Sequence, residues 1–171
     1  PVFKLYLIKE YQRLKEVESN QYNLEWNVKR ILSKVNYTIQ TDAVKDYIIP
    51  HSTLPEAKKS LEYAEEADVL NLALFKCTAK QWREANPQLA LQGMNIRDIA
   101  SINELAVLSN LESANADMMR NGIARNIRFQ KLYEIARYQL EILNKQDFLK
   151  SIKKSSPDIY LEDGSQNQLP E

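Results

Sequence analysis

Cysteine, histidine and glycine are nearly missing from this 171-residue chain, which holds Cys77, His51 and only three glycines, Gly93, Gly122 and Gly164. One cysteine excludes an internal disulfide, and with one histidine no Cys/His zinc cluster can form within a single chain. The same scarcity removes most general-base schemes and points to a reduced, cytoplasmic setting. Three glycines are too few for a hairpin-rich fold or a phosphate loop. No net charge of either sign is present, because Lys plus Arg and Asp plus Glu number 23 each, so no global field draws in phosphate and any nucleic-acid binding must be local. No apolar run approaches the roughly 20 residues that span a bilayer, and no charged-then-apolar leader opens the sequence. Strand-plus-glycine phosphate loops, Gly-x-Ser-x-Gly, His-Glu-x-x-His and Cys-x-x-Cys are absent, leaving no cofactor and no small-molecule substrate to expect.

What is present is helical. Apolar residues recur at spacings of three and four, which predicts an all-α protein, an irregular bundle of about six helices. A chain of this length fits one domain and loses roughly two thirds of its unfolded surface on folding. The first helix, over residues 1–16, aligns Phe3, Leu7, Tyr11 and Leu14, leaving Lys4, Lys9, Arg13 and Lys15 toward solvent. That stripe must dock on residues 24–143 or on another chain. A second helix carries Leu24, Val28, Ile31, Val35 and Ile39, with no Gly or Pro before Pro50.

Three helix starts carry capping boxes, in which a hydroxyl accepts the backbone N–H three residues on and a Glu or Gln reaches back. They are Thr53-Leu-Pro-Glu56, Thr78-Ala-Lys-Gln81 and Ser101-Ile-Asn-Glu104. These predict helices at about 54–75, 79–85 and 102–121, the last burying Leu105, Leu108, Leu111 and Met118 or Met119, with 87–100 an irregular connection and Gly122 just past a helix end. The last helix starts near Arg125 with the stripe Phe129, Leu132, Ala136, Leu140 and Leu143, extended by Phe148, Leu149 and Ile152 toward Lys154. Residues 158–171 hold Asp158, Glu162, Asp163 and Glu171 and no basic residue, the pattern of a solvated acidic tail.

Candidate chemistry is sparse. Glu65, Glu66 and Asp68 cluster, as do Asp98, Glu104 and Glu112, and converging carboxylates of this kind could serve a metal-dependent nuclease. Solvated helix faces and caps are the plainer account, so no catalytic residue and no metal ligand is assigned. For DNA, the step from Phe75 through Lys76-Cys77-Thr78 into a short helix bearing Lys80, Gln81 and Arg83 has the outline of a helix-turn-helix. The alternative is an ordinary helical corner anchored by Trp82, with the acidic run Glu62–Asp68 repelling phosphate. Lys29, Arg30 and Lys34 form a small basic patch, and residues 123–154 carry a surplus that includes Arg125 and Arg128. These eight residues, Lys29, Arg30, Lys34, Lys80, Gln81, Arg83, Arg125 and Arg128, are the candidate DNA contacts. Cys77 reads as a small apolar residue, though Lys76 beside it would favour thiolate, and His51 as a solvated loop residue.

The run Pro1-Val-Phe-Lys-Leu-Tyr-Leu-Ile8 resembles the last helix of the KilA-N domain, a DNA-binding module of bacteriophages, large DNA viruses and bacterial mobile elements. Glu66–Phe75, Thr78–Pro87 and Asn95–Glu112 are similar to the region that follows that domain in bacterial KilA-N proteins. The resemblance touches most of residues 1–143 and contains no catalytic motif. It implies that residues 1–18 close a KilA-N domain lying upstream, that 19–157 form the helical C-terminal domain, and that the whole protein binds DNA in regulation. Its expected partners are DNA for the whole protein and a homo-oligomer or protein partner for these residues. Direct DNA binding by the helical domain is the alternative.

Overall fold

The computed structural model describes residues 2–146, with the backbone alone at some positions of the first helix. The expected tail at 158–171 and the helix extension through Phe148, Leu149 and Ile152 lie outside the described residues, as do Lys150, Lys153 and Lys154. So do the side chains of Phe3, Lys4 and Val35. Among the described residues every regular element is helical, in seven α-helices joined by short π and 3₁₀ turns.

Helix α1 runs from Val2–Ala43, so the two helices expected at 1–16 and from 24 are one. Its 42 residues extend about 63 Å at 1.5 Å each. Neither Gly nor Pro interrupts it, and the intervening polar residues are adequate helix formers. It ends in a π turn over Val44–Ile48, then a 3₁₀ turn over Ile49–His51, where Pro50 has no N–H to continue the ladder.

The capping box expected at Thr53 does not form. Residues 56–58 make a 3₁₀ turn after Pro55, which holds the extended ψ of 147°, and α2 begins only at Ser60, running Ser60–Phe75. The hydroxyl at work there is Ser52, whose Oγ accepts from the Leu54 N–H and donates to Glu62 at 2.6 Å. The other two boxes form as expected, at Thr78 for α3 (Ala79–Ala85) and at Ser101 for α6 (Ile102–Arg120). Residues 87–100 are not irregular: they hold α4 (Pro87–Leu91) and α5 (Ile96–Ile99). Asn95 and Asp98 build a further capping box at α5, with an amide oxygen in the hydroxyl's place. Past α6, Gly122 takes φ +68°, and the Gly122 and Ile123 N–H groups close onto the Met119 and Met118 carbonyls, a Schellman closure. Helix α7 spans Arg125–Asn144 and starts without a side-chain cap at Ala124.

Helix α6 is the axis of the bundle and packs on α1, α2 and α7. Leu105, Val107, Leu108 and Leu111 from α6 meet Val69, Leu70, Ala73 and Leu74 from α2 and Leu132 and Ala136 from α7. A second, smaller core joins Ala43 and Val44 to Ala116 and Met119. The apolar stripe expected to bury the second half of α1 does not: Leu24, Ile31 and Ile39 are exposed. Apart from Ala43, that half is tied to the bundle by polar residues, with Asn36 donating to the Ser109 carbonyl and hydroxyl of α6 at 2.6 and 2.8 Å and buried Gln40 placing its side-chain nitrogen 3.5 Å from the Glu66 carbonyl of α2.

Candidate functional site

The most concentrated chemistry lies where α2, α6 and α7 meet. Glu62, Glu65 and Glu66 fall on one face of α2, and Arg125 and Arg128, one turn apart, open α7. Arg128 is fully buried and forks onto Glu66, with Nη1 donating to Oε2 at 2.6 Å and Nη2 to Oε1 at 2.8 Å. Its Nη1 also donates to the Asn115 side-chain oxygen, and its Nε to the Ile123 carbonyl. Arg125 bridges three carboxylates, those of Glu66, Glu65 and Glu62, at 2.8, 2.6 and 2.7 Å. Burial works to raise the Glu66 carboxyl, but Arg128 and then Arg125 outweigh it and hold the group below its ordinary range. The Ser52 hydroxyl, against burial and with help from Arg125, lowers Glu62 as well. A cavity of about 510 Å³ opens beside this cluster, lined by Tyr47, His51, Ser52, Glu62 and Arg125 among others.

A second buried charge sits on α6. Glu112 is fully buried, its Oε1 2.7 Å from Arg97 Nη1, yet neither carboxylate oxygen has a hydrogen bond of good alignment. Burial therefore pushes its carboxyl up, against the pull of Arg97. The Arg97 guanidinium also lies over the Tyr37 ring of α1, 5.3 Å from its centre, so one arginine ties α5 to both α1 and α6. Two of the acidic groups read as solvated, Glu66 and Glu112, are thus among the most buried side chains. Asp98 and Glu104 do serve as caps, and among the described residues no three His, Cys, Asp or Glu side chains are placed to hold a metal ion.

The candidate DNA contacts occupy three helices. Arg125 and Arg128 are engaged with the carboxylates of α2. On α1, Arg30 and Lys34 are exposed and Lys29 is half-buried. On α3, Lys80 and Arg83 are exposed, while the Gln81 side chain accepts the Thr78 N–H at 2.8 Å within its capping box. The corner into α3 is closed by Lys76 in the left-handed region at φ 61°, by Asp68 accepting the Ala79 N–H at 2.8 Å, and by buried Trp82. Cys77 is no activated thiol: burial, and then Asp68, push it up. His51 is exposed, its ring nitrogen 3.1 Å from the Tyr47 carbonyl.

On the N-terminal half of α1, Leu7, Tyr11 and Leu14 are 52%, 64% and 54% exposed. This stripe does not dock on the body of the chain. No family model, curated protein or solved structure matches this sequence. Among the described residues no helix is long and apolar enough to cross a membrane.

The buried cluster left a trace in the sequence. Glu62 and Glu66 stand one turn apart in a helix, as do Arg125 and Arg128 in another, and such matched pairs on separate helices can face each other. Nothing in the sequence distinguishes that face from a solvated one.

Proposed function

We propose that this chain is a non-catalytic assembly or partner-contact module of a KilA-N-type DNA-binding protein from a phage or mobile element, acting in regulation in the cytoplasm. The resemblance of residues 1–8 and of three later stretches to that family supports the lineage. The exposed apolar stripe on α1, Leu7, Tyr11 and Leu14, carries the assembly role, because a helix face of that character leaves water when it finds a partner. In this reading DNA is held mainly by the upstream KilA-N domain. Sedimentation at micromolar concentration tests it: a dimer or larger species is expected, and a strictly monomeric chain overturns it.

A second reading is direct DNA binding by this region, favoured by exposed Lys80 and Arg83 on the second helix of the α2–α3 corner and by Lys29, Arg30 and Lys34 on α1. It expects duplex affinity that falls steeply with salt and weakens on charge reversal of Lys34 and Arg83. No binding at low salt overturns it.

A further inference from the structure

We infer that α1 pairs with α1 of a second copy of this chain as a parallel, in-register coiled coil; this rests on the assembly reading and names its partner and geometry. Counting Leu7 as an a position, the exposed residues Leu7 and Leu14 fall at a and Leu24 and Ile31 at d. The sequence continues the same heptad with valine at 17, 28 and 35. A seam repeating every 3.5 residues along one long helix is what two-stranded supercoiling requires. Of the described seam residues, Leu7, Leu14, Leu24 and Ile31 are exposed and Val28 is half-buried. Asn36 faces α6, and at 100° per residue Leu24 and Ile31 lie about 120–140° around the helix from it, so at these d positions a second helix docks without displacing the bundle.

Charge selects the second copy and its direction. Parallel pairing sets each g residue against the e residue of the next heptad, which places Arg13 opposite Glu18 of the other copy. Antiparallel pairing would set the e positions Glu18 and Glu25 against each other, like charge on like. Glu10 intrudes at a d position with its counter-ion attached, since Arg13 donates to it through Nε and Nη2 at 3.1 and 2.6 Å.

Disulfide trapping on the whole chain, with Cys77→Ser removing the native thiol, tests the arrangement. In a parallel, in-register pair the two a positions at 14 lie within disulfide reach and the outer positions at 12 do not. Leu14→Cys is therefore expected to form covalent dimer at least about tenfold faster than Gln12→Cys under mild oxidation. Sedimentation of the reduced proteins is run alongside. If they are dimeric but the two cysteines trap at equal rates, the parallel seam is overturned and the assembly reading stands. If they are monomeric, both fail.

Discussion

Two arginines converge on Glu66, and removing that carboxylate would leave Arg128 buried without its counter-charge. A buried pair broken on one side typically costs about 3–5 kcal/mol, so Glu66→Gln is expected to lower unfolding stability by that amount in a urea titration. A loss below about 1 kcal/mol would show that the fork does not anchor α2 to α7. Arg125, two-fifths exposed, shares its charge with water and contributes less. The acid dependence has two opposed parts. Glu62 and Glu66 sit below the ordinary 4.5, so their stabilisation is complete above that pH and is lost as pH falls through their folded values. Glu112 sits above 4.5 when folded, so its native state favours the proton and its cost grows as pH rises past that value. Compared with the parent, Glu112→Gln should therefore gain stability between about pH 4 and pH 7. A difference that stays flat across that interval would contradict the buried, poorly hydrogen-bonded carboxylate.

Helix ends are where local sequence decides most, and they separate a cap that forms from one that does not. Thr78→Ala and Ser101→Ala each remove a hydroxyl that accepts an N–H at 3.1 Å and should cost about 1 kcal/mol. Thr53→Ala should stay within about 0.5 kcal/mol in the same chemical denaturation, because its hydroxyl caps no helix. Equal losses at all three would mean that α2 starts at Thr53 after all. Gly122 holds φ +68° with open space around its missing Cβ, so Gly122→Ala costs only the left-handed backbone, roughly 1–2 kcal/mol. Thr53 misled because Pro55 sits two residues on with extended backbone, which a helix cannot use at that position. The fused α1 and the short α4 and α5 escaped notice because helices are recognised by their breaks and by windows longer than one turn.

Across the molecule, α6 is the protected centre and the first third of α1 the least supported part. Hydrogen exchange should be slowest in α6, which packs on three other helices, and fastest along residues 7–16, where every described side chain but Glu10 is exposed. If two copies pair through α1, protection of residues 7–31 should rise with protein concentration while that of α6 stays constant. Concentration-independent exchange along α1 would argue against pairing through this face.

Fold class was legible without coordinates, because scarce glycine, three-to-four periodicity and hydroxyl caps act within a few residues of themselves. So were the core stripes of α6 and α7: Leu105, Leu108, Leu111, Leu132 and Ala136 are buried as their spacing requires. The fate of the charges was not legible. Glu66, Glu112 and Arg128 have the residue types of a solvated face, and only the packing of α2 and α7 around α6 brought opposite charges near enough for desolvation to be offset. On α1 the described apolar residues Leu7, Leu14, Leu24 and Ile31 stay in water, while Asn36 meets α6 and Gln40 meets α2. Sequence by itself determined that the chain is helical and where α3, α6 and α7 begin; tertiary structure decided which faces meet, since burial depends on partners 12 or more residues away that no local pattern encodes.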